Sequence, residues 1–154
     1  MEHNPLAKQV ADDLKGLITA SVKSIKDNDY QSAQAYLNQA LSISELVGYH
    51  AGSAMALHNL ANLYAISGEN IAALEAAALA LEKARLSGGD VPAYQKLVKK
   101  LLLMVQKEGV DCVKNKDYAR ALSCFEASLP HVAEDKKSPV EQQIVILKRL
   151  LNDR

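Results

Sequence analysis

Tryptophan is absent from this 154-residue chain, phenylalanine occurs once, and cysteine occurs twice. With few aromatics and only short β-branched runs there is little from which to build a sheet. Alanine and leucine together supply 45 of the 154 residues, a composition that favours helix. Cys112 and Cys124 stand twelve apart, without a CxxC pair or a neighbouring histidine. That spacing suits neither zinc nor a disulfide framework, so two reduced thiols on neighbouring helices are expected. Net charge is also missing, because eighteen basic side chains balance eighteen acidic ones. No broad field exists to hold a phosphate backbone or an anionic bilayer, and neither nucleic acid nor membrane is an expected partner. Apolar runs such as Leu101 to Val105 and Ile144 to Leu147 are too short to span a bilayer. Met1 to Val10 is polar and shows no signal-peptide pattern, which makes a cytoplasmic location the expectation.

Catalytic constellations are missing as well. His3, His50, His58 and His131 share no HxxxH spacing, and no carboxylate pair joins them. No nucleophile elbow, phosphate-binding loop or GxGxxG appears; Gly88-Gly89 stands alone, without the preceding strand such a loop needs. The expectation is a non-enzyme with no cofactor and no metal.

What is present is a pattern written three times. Its clearest copy runs Leu57-x-x-Leu60-Ala61-x-x-Tyr64, then Gly68-Glu69-Asn70-x-x-Ala73, then Ala80-Leu81. Small residues interleaved with large apolar ones at helical spacing describe two antiparallel helices in close approach across a tight turn. The skeleton recurs around Asn28-Asp29-Tyr30, Ala33, Leu37 and Ala40-Leu41, and again around Lys116-Asp117-Tyr118, Ala121, Phe125 and Ser128-Leu129. Asn4-Pro5 predicts a helix start, Asp29 and Asp117 predict N-caps, and Gly48, Gly68 and Gly88 predict helix ends. Pro130 predicts the end or distortion of the sixth helix. Ser138-Pro139-Val140-Glu141 predicts a capping box opening a seventh helix over 139–152. Ala33, Ala73 and Ala121 are 40 and then 48 residues apart, and longer helices, not long loops, are expected to absorb the first excess over a 34-residue period.

These residues resemble the tetratricopeptide repeat family, and the segment Ala56 to Tyr64 followed by Gly68 looks like its longer-period, kinesin-light-chain type. The resemblance implies an all-α fold: a right-handed superhelical stack of three helical hairpins plus a C-terminal capping helix, about seven helices in all. The hairpins fall at about 5–48, 51–87 and 90–133, within a single domain over 1–154. It further implies non-catalytic binding of a protein or peptide in the concave groove. In that subgroup the asparagines of the first helix hold the main chain of a bound peptide. Asn59 and Asn62 match that pattern, whereas their equivalents elsewhere are Thr19 and Lys107, and Val22 and Val110. A carboxylate clamp of the kind that holds chaperone tails fits only two of five positions, since Ile18, Val22 and Leu103 carry no donor where Asn59 and Lys107 do.

The stripe expected to face the groove reads Lys15, Ile18, Thr19, Val22 and Ile25, then Met55, His58, Asn59, Asn62 and Ile66, then Leu103, Gln106, Lys107, Val110 and Lys114. Amides can pair with a ligand's backbone while apolar residues take its side chains. Asn59, Asn62 and Lys107 are the expected hydrogen-bonding residues, with His58 beside them and Ile18, Val22, Met55 and Leu103 as apolar floor. The same positions also suit ordinary solvated faces. On the last helix Val140, Ile144, Leu147 and Leu151 form one stripe, and Val145, Ile146 and Leu150 widen it beyond one packed face. An alternative reading is therefore a homo-oligomer or assembly adaptor working through that helix.

Overall fold

The computed structural model describes residues 5–153. Among them lie seven α-helices and no strand: α1 (Pro5–Lys26), α2 (Tyr30–Leu46), α3 (His50–Ile66), α4 (Asn70–Ser87), α5 (Val91–Lys114), α6 (Tyr118–Ser128) and α7 (Lys137–Asn152). The all-α expectation holds. The chain divides into two compact units, Met1–Lys96 and Leu97–Arg154, with the division inside α5.

One local device ends the first five helices. After α1 the amide of Asp29 donates to the carbonyl of Ser24 at 2.8 Å and that of Asn28 donates to Ile25 at 3.0 Å, with Asn28 in the left-handed region at φ 59°. This is the Schellman closure, which satisfies carbonyls that the last helical turn would leave unpaired. The same pair of bonds closes α2 at Gly48, α3 at Gly68, α4 at Gly88 and α5 at Lys116, each with positive φ. The first four left-handed residues are 28, 48, 68 and 88, an unbroken period of 20. Two such periods make the 40-residue hairpin repeat, and the helices absorb its extra length, as expected. The additional residues of the next interval lie within α5, at 24 residues the longest helix among the described residues.

Each closure hands the chain directly to the next helix start. Asp29 caps α2 by accepting the Ser32 amide at 3.1 Å, and Asp117 caps α6 by accepting the Arg120 amide at 3.2 Å. α6 stops at Ser128, and Pro130 lies in a 3-10 turn, Leu129–His131, as its missing N–H requires. The expected start of α7 is corrected: the helix begins at Lys137, Ser138 and Pro139 are already helical, and no side chain caps it. A second 3-10 turn, Glu134–Lys136, leads straight into α7, and Lys137 Nζ pairs with Glu134 Oε1 at 2.8 Å, so the first turn forms before Ser138 can act as a cap. The N-cap expected at Asn4 lies outside the described residues.

In the first unit α3 is the central helix, touching α1, α2 and α4. Gly52, Ser53, Ala54, Ala56, Leu57, Leu60, Ala61 and Leu63 are all buried along it. A helix enclosed on most sides has no clean amphipathic stripe, and small side chains keep its neighbours close. Leu37, Leu57, Leu60 and Leu63 fill one cluster with Ala33 and Ala80, while Leu14, Ala40 and Ala56 form another. In the second unit Ala121 and Phe125 of α6 pack on Ile144 and Leu147 of α7, with Cys112 and Val113 of α5 at the edge.

The tightest point in the first unit is Gly52, where an added Cβ would lie 2.5 Å from Ser44 Oγ and 2.7 Å from Tyr49 Cδ1. Leu14 Cδ1 of α1 lies 3.1 Å from the same point and Ser44 Oγ is buried there, so a larger side chain presses on the packing of α1 and α2 against α3. Gly52→Val is expected to lower stability by about 2 kcal/mol through overpacking, read as a lower melting temperature in circular dichroism; an unchanged melting temperature would show that this packing yields freely.

Candidate binding face

α3 carries Met55, Asn59, Asn62 and Ile66 at i, i+4, i+7 and i+11, which aligns them on one face. Met55 and Ile66 are exposed, and Asn59 and Asn62 are half-buried. The opposite residues, Leu57, Leu60 and Ala61, are core. This is the side of α3 that the rest of the first unit leaves open. Asn59 is partly engaged within its own helix, donating from Nδ2 to the Met55 carbonyl at 2.9 Å. Its Oδ1 remains available as an acceptor. Asn62 makes no side-chain hydrogen bond among the described residues, and so retains both a donor and an acceptor.

His58, on the flank of that face, has a partner that its sequence neighbours did not reveal. Its ring meets Tyr94, at the start of α5 within the first unit, with centroids 5.3 Å apart and planes at 84°. This edge-to-face contact holds the imidazole half-buried, and burial lowers its pKa below the ordinary histidine range. Burial raises the Tyr94 phenol, and the Asp90 carboxylate adds to the rise. His58 is therefore a wedged side chain whose burial favours the neutral form. Tyr94 lies 36 residues downstream, beyond any helical spacing, which is why the pair was not legible.

The remaining positions separate. Val22 is exposed on α1, whereas Ile18 is half-buried and packs against both first-unit clusters, so its side chain serves the interior. α1 touches α3 directly, as the first helices of adjacent hairpins do. Leu103 and Lys107 are exposed on the part of α5 that lies in the second unit. Val145, Ile146 and Leu150 of α7 are 41–48% exposed, an apolar face that the second unit leaves uncovered.

Residues 20–85 match the tetratricopeptide repeat family. The match takes in the last part of α1 and all of α2 and α3, and ends near the close of α4. No curated protein and no solved structure matches the chain. Tetratricopeptide repeats generally mediate protein–protein interaction and are typically non-catalytic. Within the described residues no three His, Cys, Asp or Glu side chains stand together as a metal site, and no helix is long and apolar enough to cross a membrane.

The second unit holds the thiols. Cys124 is buried and Cys112 half-buried, and both are free. Burial, with Glu108 nearby, pushes Cys124 up to about 12, and burial raises Cys112 as well. A raised thiol pKa disfavours the thiolate, the form that acts as nucleophile and metal ligand. Arg120 spans from α6 to Glu108 of α5, its Nε and Nη2 donating to Oε1 at 3.2 and 3.1 Å.

The His58 environment has a pH consequence. A histidine whose folded pKa lies below its unfolded value binds protons more readily in the unfolded chain, so stability is fully present above about pH 6.5 and declines as pH falls through the depressed value. The His58 proton resonances are expected to titrate with a midpoint below 6.5 by NMR, and Tyr94→Ala, which opens the ring to water, should move that midpoint upward. A midpoint unmoved by Tyr94→Ala would remove the contact as its cause.

Proposed function

We propose that this protein is a non-catalytic binding module that captures a protein or peptide on the open faces of its first-of-pair helices. The observation carrying this reading is Asn62: a half-buried amide without a bonded partner on a face flanked by exposed Met55 and Ile66. A polar group placed among apolar neighbours and left unpaired suits a ligand whose backbone supplies the missing bonds. Asn59 adds its free carbonyl oxygen, Val22 and Met55 give apolar contact, and His58 and Ile18 shape the edge. Leu103 and Lys107 make a second contact region on α5. The second hairpin's asparagines favour the kinesin-light-chain-like subtype, and the chain is read as one domain working in the cytoplasm without a cofactor.

A second reading is favoured by one observation, the uncovered Val145, Ile146 and Leu150 face of α7, which suits self-association or an assembly partner. The two readings part in one experiment. Proteins retained from source lysate by the immobilised chain should be lost on the folded Asn59→Ala, Asn62→Ala variant, with affinity down about tenfold, as expected for two lost hydrogen bonds. Retention by both would move the working surface off α3. Under the second reading the chain runs as a dimer in light scattering, and Ile146→Lys returns it to a monomer; a concentration-independent mass of one chain would sink self-association.

A further inference from the structure

α5 carries a second pattern, beyond its helical amphipathicity. Lys100, Lys107 and Lys114 are spaced by seven, so they line one face with only a small drift per repeat. Leu103 and Val110 fill the gaps between them, 63% and 46% exposed. Lys99 borders the same face, and Asp111 is the acidic residue beside it. None of these four lysines is ion-paired among the described residues, although three other basic side chains are. All of this lies in the second unit.

The stripe also opens into a hollow. Val110 and Lys114 line one wall of a cavity of about 480 Å³ whose other walls include Gln106, Phe125, Val140 and Gln143. An apolar side chain entering it would meet Phe125 and Val140, with two amides at the sides.

From this juxtaposition we propose that the exposed face of α5 docks an acidic amphipathic helix of a partner protein. The partner presents carboxylates seven residues apart to Lys100, Lys107 and Lys114, and apolar residues between them to Leu103, Val110 and the hollow. The inference rests on reading the first-of-pair helices as the binding surface, and it names the partner's chemistry there. A helix matches because lysines seven residues apart repeat every ~10.5 Å along the axis. An extended strand returns to one face every ~6.7 Å, which does not register with that spacing. A phosphate backbone would leave Leu103 and Val110 in water, and a planar headgroup layer has no side chain to place in the hollow. Complementary charge sets register and speeds encounter, while the apolar gaps hold the complex.

The test is a display library of 18-residue helix-forming peptides with the outward positions varied among Glu, Lys, Gln and Leu. It is selected on the immobilised full chain, and enriched peptides are titrated in solution by fluorescence anisotropy. Enrichment of Glu at seven-residue spacing is expected, with binding weakened at least tenfold by Lys100→Glu, Lys107→Glu, Lys114→Glu and regained when the peptide's Glu residues become Lys. Circular dichroism checks the folding of that variant; Lys107→Met, together with weakening between about 50 and 300 mM salt, gives the same readout with less perturbation. No enrichment, enrichment without acidic bias, or binding indifferent to charge reversal overturns the proposal. So does lysine-dependent binding of phosphatidylserine vesicles without any enriched peptide. Peptides lost on Asn59→Ala, Asn62→Ala but indifferent to the lysine changes would overturn it while leaving the α3 reading in place. The converse pattern would uphold it and count against α3.

Discussion

Close approach between helices is the constraint on which the first unit depends. α3 is surrounded by α1, α2 and α4, and a helix so enclosed can be packed tightly only if its neighbours' backbones come near. Gly52, Ala54, Ala56 and Ala61 permit that on α3, and Ala33, Ala40, Ala73, Ala77 and Ala80 permit it from the other side. The cost is small apolar area per residue, offset by leucines at Leu37, Leu57, Leu60, Leu63 and Leu74, each nearly or fully buried. Buried serines join the same scheme: Ser21 Oγ donates to the Ile18 carbonyl at 2.6 Å and so needs no partner on another helix. Ser44 Oγ, by contrast, is buried without a partner and lies where a Cβ on Gly52 would fall.

Short connections follow from that packing. Each of the first three turns uses a left-handed residue and a Schellman closure, so only three residues separate one helix from the next. Regular turn length with regular helix length leaves corresponding faces of α1 and α3 available together. A binding surface on such a frame is assembled from side chains on rigid helices, and their composition can vary without altering the core. Met55 and Val22 are exposed and Asn62 is half-buried, outside the fully buried core of their helices.

Much of this was legible along the chain. Asp29, Asp117, Gly48, Gly68 and Gly88 mark helix boundaries by chemistry local to a few residues, and the structure uses each as expected. Lys116 in the left-handed region had no such signal, since lysine is not a residue that favours it; the Cys112 and Val113 carbonyls define the turn instead. The capping box at Ser138 was a valid local pattern overridden by the 3-10 turn before it. The apolar excess on α7 was readable because the width of a stripe is a property of one helix, and Val145, Ile146 and Leu150 do remain exposed.

The sequence by itself determined the helices, most of their ends and the 20-residue cadence, because hydrogen-bonding and backbone preferences act between residues a few positions apart. Tertiary structure alone decided which face of each helix stays open. It placed Tyr94 against His58, turned Ile18 into the core while Val22 stayed outside, and left Lys114 beside an open hollow. Those outcomes depend on what a neighbouring helix covers. At these positions burial is settled between elements distant in sequence.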